Sequence, residues 1–344
     1  MNMKKFIQVI IIIPLIFTVS YSGYLYYQIQ NWEYQGKEKT FIIKPGEGFS
    51  SINHRLGQQG FISSPVVFYR LSKVKNILTS FKVGHFKIKP GMNMTDVIQL
   101  LTTGIGKSIR VTVQEGKNLF EVAKIMKSKN IIKSEKNFIA LAKNRDLAEK
   151  LGINSVNLEG YLYPDTYDFP PESDSKFIIA KMVKNFFLKI KSLPTKSRDF
   201  TLNEIITLSS IVEKETGASF ERPIIAGVFL NRLKKKMRLQ SDPTTIYGIF
   251  ETYNGNLKKK HLRQKTPYNT YRINGLPLGP ISNPGLESIK AVLKPTKHKY
   301  LYFVSQNDGT HIFTTNYKDH KAAVNKWQKN ARNRKGKSWR QLKK

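Results

Sequence analysis

The chain has 344 residues, 40% hydrophobic and 24% charged, and its 58 Lys and Arg against 24 Asp and Glu give a formal charge of +34 at pH 7. That length accommodates an anchor and two or three modest folded units, and that composition excludes wholesale disorder and a multi-span membrane protein. With no cysteine, disulfides, thiolate metal sites, a Cys nucleophile and a lipidated N-terminal Cys are excluded too, while the basic excess fits anionic surroundings or simply a lysine-rich surface.

Met1-Asn2-Met3-Lys4-Lys5 precedes an uncharged stretch from Phe6 to Trp32, densest in apolar residues between Val9 and Val19. A bilayer-spanning helix needs ~20 mostly apolar residues. Phe6 to Tyr27 supplies them, so a transmembrane anchor is expected over 6–28 behind a cytoplasmic stub, 1–5. Tyr21, Tyr24, Tyr26, Tyr27 and Trp32 would then sit at the outer interface. A cleaved signal peptide ending at Ser20-Tyr21-Ser22 is the alternative, and both readings export the rest of the chain. The expected location is a single pass in the inner membrane, N-terminus cytoplasmic and the main domain outside.

Beyond the anchor, Thr40-Phe41-Ile42-Ile43 predicts a strand, Pro45-Gly46 a turn, and Ser50 to Leu56 a short amphipathic helix. The pattern recurs 70 residues on: Gly46, Phe49, Ile52, Leu56, Ile62, Phe68 and Leu71 map to Gly116, Leu119, Val122, Met126, Ile132, Phe138 and Leu141. A partial third copy starts at Lys89-Pro90-Gly91. Small β-α units with this turn resemble LysM modules, which implies one such module at 39–105 and glycan binding by it. A second β-α module with an aromatic loop, Asn157 to Tyr167, is expected over 106–198.

Thr201-Leu202-Asn203-Glu204 is a capping-box signature opening a helix with an apolar face at 202, 205, 206, 208, 211 and 212. A second helix is expected from Ser219, with Pro223 in its first turn, to Lys236. A loop-rich stretch, Arg238 to Pro284, leads to a helix over Leu286–Leu293. A hairpin follows, Tyr300–Val304 and His311–Thr314 around Asn307-Asp308-Gly309, and then a basic helix from Lys318. The expected fold class is α+β: an N-terminal transmembrane helix, LysM-like modules, a mixed α+β domain at 199–330, and a basic tail at 331–344.

The first of these helices ends Ser210-Ile211-Val212-Glu213-Lys214-Glu215-Thr216. At 100° per residue Lys214 points away from the apolar face, and Glu213 and Glu215 fall on its two flanks. A carboxylate against apolar neighbours is disfavoured in its charged form, so its pKa rises, as a general acid at neutral pH requires. The helical wheel does not choose between the two.

Ser210-Ile-Val-Glu-Lys-Glu-Thr216, Val228-Phe-Leu-Asn-Arg232, Leu239-Gln-Ser-Asp-Pro-Thr-Thr-Ile-Tyr-Gly248, Tyr268-Asn-Thr-Tyr271, Gly275-Leu-Pro-Leu-Gly-Pro280 and Glu159-Gly-Tyr-Leu-Tyr-Pro-Asp-Thr-Tyr167 resemble, in order and spacing, the signature blocks of the endolytic murein transglycosylase (YceG-like) family. The similarity runs from the anchor to about Trp327. It implies that Glu215 is catalytic, and Glu215-Thr216 is similar to the Glu-Ser pair of other lytic transglycosylases. It implies non-hydrolytic cleavage of the MurNAc–GlcNAc β-1,4 bond, with glycan strands of peptidoglycan as substrate, 1,6-anhydro ends as product and a membrane-bound peptidoglycan synthase as partner.

Within these blocks Gln240, Asn269 and Tyr271 are candidates to hold sugar hydroxyls and acetamido groups. Tyr247 is a candidate to stack on a ring, and Glu159, Tyr161, Thr216 and Asp242 are candidates to line the groove. Asp242 before Pro243 reads equally as a turn former. Arg222 and Arg232 either meet substrate carboxylates or pair with Glu213 and Glu221. No phosphate-binding Gly loop, His-x-x-x-His pair or Gly-x-Ser-x-Gly elbow occurs, and the six histidines are scattered, so no metal and no cofactor are expected. A muramidase-type hydrolase would need a second carboxylate, Asp242 or Glu159. A wall-binding scaffold would make the Glu pair incidental. Export and the spread of basic residues argue against a nucleic-acid partner.

Overall fold

The computed structural model describes residues 16–104, 108–194 and 200–330. The chain divides into two compact units, Met1–Arg110 with Asp168–Asp174, and Val111–Tyr167 with Ser175–Lys344.

In the first unit residues 16–26 are helical (α1) and continue into a π-helical turn, Tyr27–Asn31. Among the described residues no helix is long and apolar enough to cross a membrane. The expected span at 6–28 lies outside the described residues up to position 15. Strand β1 (Lys39–Ile43) pairs antiparallel with β2 (Gly84–Ile88), Phe41 opposite Phe86. Alternation turns Phe41, Ile43, Phe86 and Ile88 inward. Helices α2 (Phe49–Gln58), α3 (Pro65–Val74) and α4 (Met94–Thr102) close the core through Ile52, Leu56, Phe68, Val97 and Leu101. Trp32 packs with Leu25 and Ile29 against this core. An indole gains more apolar contact there than at a solvated helix end.

The second unit begins within β3 (Ile109–Thr112), which pairs with β4 (Thr166–Phe169). Between them come α5 (Leu119–Ser128), α6 (Glu135–Ala142) and α7 (Arg145–Lys150). The 70-residue repeat has a backbone counterpart: Gly46 and Gly116 both take φ of 75°, a left-handed turn that a Cβ would strain. Val122, Met126, Ile132 and Phe138 are buried, as are Ile52, Leu56, Ile62 and Phe68 at the equivalent positions.

The 16-residue α8 (Ser175–Ile190) follows β4 and buries Ile178, Ile179, Met182, Val183 and Phe186. Next is α9 (Leu202–Glu215), started by the Thr201–Glu204 capping box. Ile205 to Val212 are all buried in α9, which packs on α10 (Arg222–Lys234), α11 (Asp242–Gly248) and α13 (Leu286–Leu293). A helix enclosed on every side must satisfy its hydroxyls internally. Thr207 donates to the Asn203 carbonyl, Ser209 to Ile205 and Ser210 to Thr207, each at 2.7 Å. The loop-rich stretch from Arg238 to Pro284 contains α11 and a short α12 (Lys259–Arg263). Asp242-Pro243 opens α11, because a proline in a first turn presets the backbone for a helix as readily as for a turn. The hairpin β5 (Tyr302–Ser305) and β6 (His311–Thr314) pairs Ser305 with His311, and α14 (Tyr317–Val324) follows.

Candidate active site

The end of α9 holds two glutamates in contrasting surroundings. Glu213 accepts from Arg222 Nη2 at 3.1 Å, from the Gly285 N–H at 3.0 Å and from Ser288 Oγ at 2.7 Å. Its side chain is 5% exposed, so it is a buried, fully provided partner of Arg222 that staples α9 to α10 and α13. Lys214, between the two, reaches out to the Gly116 carbonyl at 3.1 Å.

Glu215 is partly accessible. Its carboxyl accepts from Ser241 Oγ at 2.5 Å. Burial pushes its pKa up to about 7, and the nearby charge of Asp242 adds to the rise, while the Ser241 hydrogen bond and the Arg232 charge oppose it. A carboxyl so placed holds a proton near neutrality and can release it, which is what a group that must be acid and then base requires.

Ser241 is held by its own N–H, which donates to Thr270 Oγ1 at 3.0 Å, and Thr270 Oγ1 lies 2.7 Å from Thr244 Oγ1. One residue on, the exposed Asp242 accepts from the Tyr271 hydroxyl at 2.7 Å. Gln240 is exposed with φ of 50°, its N–H on the Thr270 carbonyl at 3.3 Å. Arg232 is buried and donates to the carbonyls of Leu301 (2.6 Å), Leu239 (2.8 Å) and Arg238 (3.3 Å). Burial lowers its pKa, and the charge of Glu215 counters that fall.

Of the residues expected to line a groove, Gln240, Asp242 and Tyr271 gather around Glu215 and Ser241. Tyr247 is partly buried at the far end of α11, against Tyr268. The expectation is corrected for four others, all buried. Glu159 is 0% exposed and accepts the Leu119 N–H at 2.9 Å, capping α5. Tyr161 is 1% exposed, its ring against Phe186 and its hydroxyl on Asn203 Oδ1 at 3.0 Å. Asn269 is 0% exposed and donates to the carbonyls of His261, Leu262 and Gln264, which shapes the loop ahead of Tyr271. Thr216 is also buried: it caps the turn after α9, accepting from the Ala218 N–H at 2.9 Å and donating to Glu221 at 3.4 Å. Glu221 in turn accepts the His311 N–H at 2.8 Å.

Arg222 pairs with Glu213, one of the two roles expected of it; Arg232 does neither and holds carbonyls instead. Ser241 was visible inside its sequence block without any cue to its role, because its partner lies 26 positions away. Among the described residues no three His, Asp or Glu side chains are grouped to hold a metal ion.

The chain matches the YceG-like family over residues 41–326. It is 33% identical over 302 residues to the endolytic murein transglycosylase of Bacillus subtilis strain 168, covering 83% of each chain. To the endolytic murein transglycosylase of Streptococcus pneumoniae strain R6 it is 28% identical over 357 residues, covering 93% of this chain and 64% of that one. It is similar in fold to the crystal structure of a yceG-like protein from Listeria monocytogenes, with a TM-score of 0.57, 29% identity, and coverage of 83% of this chain and 98% of that one.

Proposed function

This chain belongs to the YceG-like family, and on that premise we propose that it is a lytic transglycosylase, a lyase that cuts peptidoglycan glycan strands internally with Glu215 as the single acid and base. The carrying observation is the Glu215 carboxyl itself, partly accessible and with a pKa raised to about 7. Protonated Glu215 donates to the oxygen that leaves with GlcNAc as the C1–O bond of MurNAc breaks. The resulting carboxylate takes the proton from the C6 hydroxyl of the same MurNAc, and O6 bonds to C1. The enzyme is returned protonated, no water is consumed, and the product is a 1,6-anhydro end. Because the nucleophile belongs to the substrate, no second protein carboxylate is needed, whereas hydrolytic glycosidases use a pair. Ser241 and the buried Arg232 stabilise the carboxylate that appears after proton donation.

Gln240, Asp242 and Tyr271 contact the sugar chain beside Glu215. The apolar N-terminal segment tethers the enzyme to the inner membrane, where nascent strands emerge from a membrane-bound synthase. The LysM-like module at 39–105 holds glycan. The experiment is mass spectrometry of fragments released from purified sacculi. Anhydro ends, one water lighter than reducing ends, are expected from the wild type and none from Glu215→Gln; reducing ends would make the enzyme a hydrolase and the single-carboxyl mechanism wrong.

A further inference from the structure

Helix α11 begins at Ser241 and Asp242, beside Glu215, and ends at Gly248 on a cavity of about 380 Å³. Six residues at ~1.5 Å rise separate the two ends by about 9 Å, the scale of a disaccharide. The cavity wall is a continuous aromatic surface. Phe250 stacks on Phe120 with centroids 5.0 Å apart and an 18° tilt. Phe120 meets Tyr247 at 6.3 Å, and Tyr247 meets Tyr268 edge-on at 4.7 Å. Behind the wall, Tyr247 lies against the buried Glu159 and Tyr268 against Asn157.

The polar groups at this cavity select its ligand. The Lys143 ammonium is paired with Glu251 at 2.9 Å and lies over the Phe120 ring at 4.6 Å. That cation is already neutralised, so the cavity does not favour an anion such as a stem-peptide carboxylate. The exposed Gln264 supplies an amide that both donates and accepts. Aromatic faces with an amide at their edge and no free charge suit a neutral ring that has one apolar C–H face and an acetamido group.

We propose that this cavity is a distal glycan subsite that seats one N-acetylhexosamine ring, about a disaccharide along the strand from the bond cut at Glu215. The inference rests on the reading of Glu215 above. Bound there, the ring fixes the register of the strand over the acid and makes cleavage depend on glycan length.

The test uses the full chain carrying Glu215→Gln, so that nothing is cut, with β-1,4-linked GlcNAc tetramer as the probe in calorimetry. Phe250→Ala is expected to weaken binding about tenfold through the loss of a stacking face. Gln264→Ala, at an exposed position, is expected to weaken it severalfold, and Phe250→Trp to preserve it. In the otherwise wild-type enzyme the two alanine variants should raise KM for long strands while kcat stays within about twofold. Unchanged binding and KM in both alanine variants would overturn the subsite, as would displacement of the tetramer by a stem tripeptide that fails to bind Phe250→Ala. If Glu215→Gln is inactive while the cavity variants behave as wild type, the subsite alone is wrong. If Glu215→Gln still cuts while the cavity variants lose binding, the subsite stands and the catalytic reading falls.

Discussion

The two flanks of the α9 C-terminus are separated by one residue and built for opposite purposes. On one, Glu213 is enclosed with three donors, among them the Arg222 guanidinium, and joins three helices. On the other, Glu215 is partly accessible and has a hydroxyl as its donor. Glu159 adds a third case: burial raises its pKa to about 8, yet it is sealed in the interior on the Leu119 N–H. A raised pKa is therefore insufficient for an acid that must meet substrate. Access separates Glu215 from Glu159, and donor supply separates it from Glu213.

The comparison breaks first at Glu215. Glu215→Gln keeps an acceptor for Ser241 but no acid proton, and should lower glycan cleavage by roughly 10²–10⁴-fold with an unchanged thermal melt. Appreciable turnover by that variant would move the chemistry elsewhere. Glu213→Gln should do the reverse. It weakens a buried ion pair and should cost roughly 3 kcal/mol of stability in denaturant titration, while the folded fraction keeps its rate.

Glu159 sharpens the contrast through pH. Its folded pKa lies above the ordinary carboxyl value of 4.5, at about 8, so the folded protein binds the proton more tightly than the unfolded chain. The stabilisation is fully present below about pH 4.5 and is lost as pH rises towards 8. Melting temperature should fall across that window, and Glu159→Gln, which retains an acceptor for the Leu119 N–H, should flatten the fall without altering cleavage chemistry. A wild-type profile flat from pH 5 to 8 would show that this carboxyl is not held protonated.

The smallest effect belongs to Ser241. Its hydrogen bond favours the charged form of Glu215, so Ser241→Ala should raise the Glu215 pKa by about one unit. The alkaline limb of the rate profile, where the acid loses its proton, should move up by the same amount. A limb that stays put would mean that Ser241 does not tune the acid.

Much of this architecture was legible where its causes are local. The Thr201–Glu204 capping box, the helix at Leu286–Leu293, the hairpin around Asn307-Asp308-Gly309 and the repeated Gly46 and Gly116 turns depend on residues a few positions apart. The site was legible only in outline. Glu213 and Glu215 are equivalent on a helical wheel, and what distinguishes them is Gly285 and Ser288, more than 70 positions away. Glu159, Tyr161 and Asn269 look like groove residues in an aromatic, polar motif. They are interior because Leu119, Asn203 and the 261–264 carbonyls lie where only tertiary packing could bring them. Arg232 looks like a partner for a carboxylate and is held by three carbonyls instead.

Everything in this account turns on Glu215 being protonated near neutral pH and able to lose that proton. The most direct measurement is the carboxyl-carbon NMR titration of the full chain labelled at glutamate, with the Glu215 signal assigned as the one missing from Glu215→Gln. A midpoint close to 7 is the predicted result. A midpoint at or below the ordinary glutamate value of about 4.5 would contradict it, since that carboxyl would already be ionised at neutral pH and could not protonate the leaving sugar.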